Sequence, residues 1–568
     1  MTVKEIAAYL ADKCGKQVSL PDVWSAKQDA LEFRFGTYYD SYNYAPRLLE
    51  GIVCSNSGSF IDIKDTEVVG CKDFRVLHSI FWALAQCIHA FHYCRPVLCV
   101  KGTPLCGRYQ GVLLTALALD ANDCQIPVAF AIVESETKET WLWFLRNMKQ
   151  AVVRERAGVC IIHDCKVELV SALDDIQNNP EEPHPWKDVR SRWCMLHLAE
   201  NFLASFGDKK LMTMFKRLCQ QKKLSNKFTN IWKELDELTF QYMAEKESSP
   251  GQEMQQGSSK HDDAELEAQI ASNQLNSVRD GEEGNLGHES KRRITKFSDW
   301  IHLKPKEKWS LLYDTKNARY GIMGTDISDV YKSSHVCKGI LCLPLSAIVE
   351  VTFKRTVEYF KNTSAAANET MNDQAMKFPQ RVQDEMNCKM QKAQGHQVIC
   401  MKTNNNNVLL GEGVKKFVVQ SGQKRAAFAR SENTPHVRAT RQLLRKPCSH
   451  VIAVCCQIGV STCTYMSPYY SVSYLCNTWS RKLVVPENLR NDRIIGRFSW
   501  ESKMPTWISD KKLPTWISDK KLPTWIPDKK LECVFHVSLT SDSTQTGTDE
   551  EEQEVQEMGL DTNTSKNV

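Results

Sequence analysis

The chain has 568 residues, of which 42% are hydrophobic and 25% charged, and its formal net charge is +5. This length exceeds one ordinary hydrophobic core and predicts roughly two to four folding units of globular composition. No stretch approaches the roughly 20 apolar residues that span a bilayer, and the 22 cysteines follow no disulfide spacing. We therefore expect reduced thiols, no signal peptide and no membrane partner.

The first 50 residues carry apolar side chains at helical spacing, as in Val3, Ile6, Ala7 and Leu10. A second segment of this kind is AKQDALEFRFG. Recurrence at three and four residues predicts amphipathic helices. We therefore assign residues 1–74 to an N-terminal helical region.

Strand-like and helical segments alternate between residues 75 and 345. Four apolar runs predict strands, namely VLCVKG, GVLLTALALD, PVAFAIVE and GVCIIHD. The helical segments TKETWLWFLRNMKQAVVRER and KVELVSALDDIQ flank the fourth run, and RSRWCMLH is a candidate fifth strand before further helices. This order predicts an α/β domain with a mixed sheet covered by helices. Within it, the polar residues 244–290 lack the apolar content of a core and predict disorder.

The rest of the chain divides into three stretches. Residues 346–405 begin with the helical segment SAIVEVTFKRTVEYFKN and continue as a polar, Asn-rich stretch that is either a linker or a frayed helix. Residues 406–480 contain a predicted strand, VLLGEGVKKFVVQ, and a predicted helix, CSHVIAVCCQIGV, which indicate a small compact module. Residues 481–568 form a tail whose acidic end, TDEEEQEVQEMG, is typical of a disordered segment.

A tandem repeat with a period of nine residues lies in this tail. MPTWISDKK, LPTWISDKK and LPTWIPDKK run from Met504 to Lys530. The proline in every unit excludes one long helix, and solenoid repeats usually have about 20 or more residues. The alternatives are a local duplication in an exposed tail and a tryptophan-mediated binding array, and we favour the duplication.

Two residues that end predicted strands are candidates for catalysis. Lys101 closes the strand of VLCVKG before a Gly-Thr-Pro turn, and Asp164 closes the strand of GVCIIHD before a helix. Strand ends in open α/β sheets are where ligands usually bind. By its local sequence, Asp164 is either a helix N-cap, a role that Asp favours, or a carboxylate ligand for divalent metal ions.

Five longer motifs resemble a known family. They are YCRPVLCVKGTPLCGRYQGVLLTALALDAN, PVAFAIVESETKETWLWFL, RWCMLHLAENF, ARYGIMGTDISDVY and KPCSHVIAVCC, in this order. Over about residues 1–480 the chain resembles a plant Mutator-like element (MULE) transposase. The resemblance implies a ribonuclease-H-like mixed sheet with a helical insertion, a D-D-E triad of catalytic acids, and a C-terminal SWIM-type zinc finger.

The triad that the resemblance implies is only partly present. The first acid belongs in an Asp-Gly-Thr sequence, where this chain has Lys101, and the second maps to Asp164. The third, a glutamate in the family, maps to Asp329. An ammonium group in place of a carboxylate removes a metal ligand and repels both cations, and a shift of about 1 Å already costs on the order of a hundredfold in rate. We predict that the chain does not catalyse strand transfer by the family mechanism. Mg²⁺ is expected as a cofactor only if the transposase site is functional.

The motif RWCMLH contains Cys194 and His197. These residues are either a packed cysteine with a hydrogen-bonded histidine or part of a metal site, and we favour the packed pair. The same motif occurs beside the catalytic core of the family that the chain resembles.

The SWIM finger that the resemblance implies is incomplete. Cys448 and His450 supply one half, and the other half falls on His436 and Arg438. Structural zinc takes four ligands, and an arginine stays protonated and cannot bind it. We therefore expect a degenerate finger, with Cys448, His450 and His436 as remaining ligands and Zn²⁺ weakly bound or absent.

Basic residues crowd the same module, and Lys424, Arg425, Arg441 and Arg445 are our candidates for contacts with DNA phosphates. A solvated face is the alternative. The group Lys291-Arg292-Arg293 gives weak support for nuclear import. We expect DNA as the partner and the nucleus as the location, and the sequence is compatible with an oligomer.

Three functions agree with these residues. We favour a transposase-related protein that is impaired in strand transfer and binds DNA, and the far-red-response transcription factors that resemble the family make a transcription regulator one form of it. The second is an active D-D-E transposase in which Asp120 or Glu134 replaces the lost acid. The third is a decaying element copy whose product has no selected function.

Overall fold

The computed structural model describes residues 2–15, 17–68, 71–221, 226–248, 296–324, 336–337, 339–372, 376–401, 414–421, 424–431, 445–485, 499–503 and 533–538. Several predictions of the sequence fall outside these residues: the helix ISDVYKSS with Asp329, the basic group at 291–293, the residues His436, Arg438 and Arg441, the repeats at 504–530 and the acidic end of the tail.

Three helices open the chain, namely α1 (Val3–Cys14), α2 (Leu20–Phe35) and α3 (Tyr38–Ser55). Each is preceded by a hydroxyl residue, Thr2, Ser19 or Thr37, whose side chain accepts a hydrogen bond from a backbone N–H three residues later. Such caps satisfy donors that the first helical turn leaves unpaired. The helices predicted for the first 50 residues are therefore confirmed.

The described strands form two sheets. They are β1 (Phe60–Val68), β2 (Cys71–Ala83), β3 (Val97–Pro104), β4 (Val112–Leu119), β5 (Gln125–Val133), β6 (Cys160–His163), β7 (Arg190–Trp193), β8 (Gln397–Met401), β9 (Val414–Ser421), β10 (Lys424–Ser431), β11 (Ser499–Lys503) and β12 (Cys533–Ser538). Strands β8, β9 and β10 make a small antiparallel sheet, and the others make the main one.

The main sheet is mixed, as predicted. Its order is β11-β12-β2-β5-β4-β3-β6-β7, and β1 also pairs with β2. Strand β3 pairs with β6, and β6 with β7, in parallel, whereas the other pairs are antiparallel. The four apolar runs correspond to β3, β4, β5 and β6, and the RSRW segment is β7. All five predicted strands are therefore confirmed.

Helices cover this sheet and build a separate cluster after it. The helices after the first three are α4 (Ala85–Tyr93), α5 (Lys138–Asn147), α6 (Val167–Asn178), α7 (Met195–Phe206), α8 (Lys209–Cys219), α9 (Asn226–Ser248), α10 (Phe297–Ile301), α11 (Lys306–Trp309), α12 (Leu345–Asn372), α13 (Gln380–Gln394), α14 (Ser449–Gln457) and α15 (Val472–Trp479). The main core lies between the sheet and helices that include α4, α5 and α12. A second core, rich in aromatic rings such as Phe202, Phe215 and Trp309, holds α7 to α11 together.

Two boundaries predicted from the sequence are wrong, and one pair of alternatives is decided. Strand β1 and the start of β2 lie within the stretch assigned to helices, because β1 pairs with β2 and its Phe60, Ile61 and Ile63 pack against the main core. Of the linker and the frayed helix predicted before residue 405, the helix is found as α13, which buries one face through Val382, Met386 and Ala393 and is followed by β8. Helix α9 also continues to Ser248, inside the segment predicted to be disordered.

The tail after residue 481 is also structured in part. Strand β12 pairs with β2, with Val534 opposite Val76, and β11 pairs with β12. A free edge of a sheet attracts such additions because its backbone groups are unpaired. Among the described helices, none is long and apolar enough to cross a membrane.

Candidate functional site

Lys101 and Asp164 lie at the same edge of the main sheet. Strands β3 and β6 are parallel, with Cys99 opposite Ile162. Continuing this register by two residues places Lys101 beside Asp164, which directly follows β6. Strand β3 continues to Pro104, so the prediction that Lys101 closes its strand is wrong. Both side chains are half-buried, and the Lys101 side chain has no hydrogen bond or ion pair with any described residue. An ammonium group therefore stands next to the one acid of the implied triad that the structure describes.

Asp164 does not cap the helix that follows it. Helix α6 begins at Val167, and its N-cap residue is Lys166. The Asp164 Oδ1 atom instead accepts a hydrogen bond of 2.6 Å from the backbone N–H of Cys165. The N-cap alternative for Asp164 is therefore wrong, and its carboxylate stays at the edge of the sheet.

A second carboxylate, which the sequence analysis did not select, approaches the same edge. Glu136 lies between β5 and α5, and a Cβ atom added to Gly102 would be 2.5 Å from the Glu136 carboxyl carbon. Only glycine leaves room for this approach. Lys166 holds Glu136 through an ion pair of 3.0 Å, in which the Glu136 side chain is 15% exposed. Since Lys101 and Gly102 are neighbours in β3, their side-chain directions lie on opposite faces of the sheet, and the ion pair of Glu136 and Lys166 is on the face opposite to the Lys101 side chain.

His163 fixes the backbone on the other side of Asp164. Its ring is fully buried, Nδ1 donates to the backbone oxygen of Asp164, and Nε2 lies 2.7 Å from the Ser191 hydroxyl oxygen. In the neutral ring, Nε2 accepts a hydrogen bond from this hydroxyl. Burial lowers the pKa of His163 to about 3.

Acid is expected to destabilise the chain through His163. Its folded pKa of about 3 lies below the usual 6.5, so the neutral ring stabilises the fold above about pH 6.5 and this contribution is lost as the pH falls toward 3. The slope is at most about 1.4 kcal/mol per pH unit. Urea midpoints between pH 7 and 4 should fall less steeply for His163→Asn than for the native chain. The exposed His184→Asn serves as control, and an equal slope in both variants would contradict the assignment.

Cys194 connects this edge to the chain that leads toward Asp329. Its backbone N–H donates to the His163 oxygen at 2.7 Å, and its buried sulfur lies 2.6 Å from where a Gly324 Cβ would be. Gly324 precedes Asp329 by five residues, a span of at most about 18 Å. Cys194 is also the N-cap residue of α7, whose first turn contains His197. The role of this cysteine and histidine in metal binding stays a prediction.

The two acids considered as replacements lie elsewhere. Strand β4 runs antiparallel to β3, so Asp120 after its end lies at the opposite edge of the sheet, where its buried carboxylate accepts from Trp479 Nε1 at 2.9 Å. Glu134 follows β5, two strands from β3 and thus about 9.6 Å away, and it contacts His78 at 3.2 Å. Neither position restores a carboxylate beside Asp164.

The donor set at this edge does not suit the magnesium ions that the resemblance implies. Mg²⁺ binds carboxylate oxygens and waters, but a lysine, Lys101, stands where the resemblance implies the first acid, and Lys166 forms an ion pair with Glu136. Among the residues that the structure describes, no three His, Cys, Asp or Glu side chains are grouped to hold a metal ion. We therefore derive no catalytic step through a metal.

In the C-terminal module, Cys448 precedes α14 and its sulfur lies 4.0 Å from His450 Nδ1. The His450 ring stacks on His396 with 4.6 Å between centroids. Since His436 and Arg438 lie outside the described residues, the degenerate zinc site stays a prediction.

The structure describes the backbone of three of the four residues predicted to contact DNA, namely Lys424, Arg425 and Arg445. Lys424 and Arg425 begin β10, where they pair with Ser421 and Gln420 of β9. The Arg445 guanidinium lies 5.2 Å from the centre of the Tyr320 ring and donates to the Lys316 oxygen at 2.8 Å. The structure thus brings Arg445 to the main domain rather than leaving it on the module.

Comparison with known proteins gives one match. Residues 97–201 match the family model of the MULE transposase domain. No curated protein matches the chain. The matched residues run from the start of β3 into α7 and include both Lys101 and Asp164. This segment of the chain is therefore similar to the MULE transposase domain.

Proposed function

We propose that this protein is a transposase derivative that binds DNA and is impaired in strand transfer. The observation that carries the proposal is the position of Lys101 in β3, which the parallel register places beside Asp164 after β6. The match to the MULE transposase domain supports DNA as the partner. The order of three antiparallel strands, a helix, a parallel strand and a helix supports the ribonuclease-H-like core that the resemblance implies.

Electrostatics gives the physical reason for the impairment. Polynucleotidyl transfer uses divalent ions to activate the attacking oxygen and to stabilise the leaving one. A lysine in the position of a bridging carboxylate repels such ions by roughly 4 kcal/mol for unit charges at 4 Å near a protein surface. For a divalent ion the repulsion energy is about twice as large, because it scales with the charge of the ion. The remaining carboxylates, Asp164 and the ion-paired Glu136, do not compensate for it.

The native chain is expected to show no metal-dependent cleavage or joining of DNA. The test incubates it with duplex oligonucleotides that end in terminal inverted repeats, in Mg²⁺ and separately in Mn²⁺, and follows products on denaturing gels. Product yields should equal those of Asp164→Asn, since that acid has no partner to hold a metal. A metal-dependent product that disappears in Asp164→Asn would overturn the proposal.

A further inference from the structure

A row of aromatic rings crosses the surface of the main domain. The row consists of His89, Tyr93, Tyr474, Tyr469 and Tyr320, and each ring centre is 5.2 to 5.9 Å from the next. These residues come from α4, from α15 and its preceding turn, and from the chain after the helical cluster. Tyr320 is buried, whereas the other four rings are half-buried. The row therefore joins parts of the chain that are far apart in sequence.

Arginine side chains lie along this aromatic row. Arg156 is 5.2 Å from the centre of the Tyr469 ring, and Arg445 is 5.2 Å from that of Tyr320. Burial lowers the pKa of His89, and the nearby Arg481 lowers it further. Cation–π contact of this kind is favourable and holds the guanidinium groups at the surface. Cations thus occur at both ends and in the middle of the row.

Other cations extend the charge around these arginines. Arg154 and Arg156 both lower the pKa of the exposed His92, after the larger effect of burial, and Lys482 follows Arg481. We call the six residues Arg154, Arg156, Lys316, Arg445, Arg481 and Lys482 the cationic face. None of them forms an ion pair with a carboxylate that the structure describes. Glu155, between two of them in sequence, does not neutralise either.

Cations elsewhere in the described part of the chain are often paired. Lys138 contacts Asp175 at 2.8 Å, Lys354 contacts Glu350 at 2.6 Å, and Lys389 contacts Glu385 at 2.7 Å. A cluster without acidic partners produces a positive potential that such pairs cancel. The positive potential at the cationic face is therefore expected to be higher than at surfaces where the cations are paired with carboxylates.

The cationic face lies away from the candidate catalytic edge. Tyr93 and Arg156 lie four residues before the starts of β3 and β6, whereas Lys101 lies within β3 and Asp164 directly follows β6. Six residues of extended strand separate Arg95 from Lys101, which corresponds to about 20 Å. A ligand on this face would thus leave the catalytic edge uncovered.

We propose that the cationic face binds the phosphate backbone of duplex DNA. Phosphates are the groups that unpaired arginine and lysine side chains recognise, and they carry most of the affinity of non-specific binding. The rings pack edge to face on one another and are half-buried, so the contact is with the backbone rather than by stacking on bases. This surface deepens the proposed function, and rests on it for the choice of DNA as the polyanion.

The test measures binding of the full chain to a 30-bp duplex of random sequence, by fluorescence anisotropy without divalent metal. The variant Arg154→Gln/Arg481→Gln/Lys482→Gln removes three exposed cations. Each phosphate contact contributes about 0.9 to the slope of log K against log salt, so the slope should fall by roughly 2.7 and the affinity at 0.1 M salt at least about tenfold. The variant Lys138→Gln/Lys354→Gln/Lys389→Gln removes the same charge from paired lysines and should change affinity less than about twofold.

Equal losses in the two variants, or unchanged binding in the first, would overturn the proposal. Tighter binding of a duplex RNA of the same length through the same three residues would overturn the choice of DNA. The reversal Arg154→Glu/Arg481→Glu should weaken binding more than Arg154→Gln/Arg481→Gln, which separates charge from loss of contact. Because the catalytic residues are untouched and no metal is present, strand-transfer activity in the native chain would refute the impairment and leave this surface standing.

Discussion

Replacement of Lys101 by aspartate is expected to raise the affinity of the chain for Mn²⁺. The substitution removes an ammonium group and places a second carboxylate beside Asp164, at positions that the parallel register aligns. The interaction energy of two unit charges at 4 Å and an effective dielectric constant of 20 is roughly 4 kcal/mol. The reversal of charge therefore changes a repulsive position into an attractive one. Isothermal titration calorimetry with Mn²⁺ measures the result.

Two controls separate the new ligand from the loss of the positive charge. Lys101→Ala removes the repulsion without adding a ligand, so it should bind Mn²⁺ at least about tenfold more weakly than Lys101→Asp. Adding Asp164→Asn to Lys101→Asp should abolish the gain. Binding in Lys101→Asp that is no tighter than in Lys101→Ala would show that this edge is not a disabled metal site. The rate of DNA cleavage should be on the order of a hundredfold higher in Lys101→Asp/Asp329→Glu than in Lys101→Asp alone. The reason is that glutamate restores the longer side chain that the resemblance implies for the third acid.

Truncation of Asp120 to alanine is expected to lower the free energy of unfolding substantially. Its carboxylate is fully buried and accepts hydrogen bonds from Trp479 Nε1 and from the backbone N–H groups of Asn122 and Cys124. Arg95 lies beside it and donates to its backbone oxygen at 2.9 Å. Removing the acceptor leaves buried donors unpaired, each at about 1–3 kcal/mol, and a buried cation with less compensation. We expect a loss of about 3 kcal/mol or more, measured by urea unfolding.

The pH dependence of this loss has a defined sign. Burial raises the pKa of Asp120, and the hydrogen bond from Trp479 lowers it by less. The stability of the native chain relative to Asp120→Ala should thus be greatest below the unfolded pKa of about 4, and should shrink as the pH rises through the folded pKa. Trp479→Phe removes one donor and keeps the aromatic packing, so it should cost less. A loss below about 1 kcal/mol in Asp120→Ala would contradict this account.

Local sequence predicted the strands of the main sheet well because their signals are local. The runs that became β3 to β6 are apolar and short, and they end at polar or turn residues. The same reasoning left a linker and a frayed helix open at α13, where three buried residues among polar ones define the face. It failed for β1, which follows helices without a change in composition. In both cases contact with the main core decided the structure.

The candidate site was predictable from the sequence only at the two charged residues that follow apolar runs. Lys101 and Asp164 carry a sequence signal, namely a charged residue directly after an apolar run. Glu136 and Lys166 carry none, since their importance arises from the approach of Glu136 to Gly102 and from their ion pair. The sequence also offered Asp120 as a replacement acid, and it is unsuitable because antiparallel pairing of β4 sends it to the other edge.

The amino-acid sequence by itself determined which segments form β3 to β7, and that a lysine follows the apolar run 97–100. Only the tertiary structure decided which side chains meet. It placed Lys101 beside Asp164, gathered the cationic face from residues between Arg154 and Lys482, and buried Asp120 against Trp479. The reason is that strand formation depends on neighbours along the chain, whereas charge pairing and burial depend on contacts between residues that are distant in sequence.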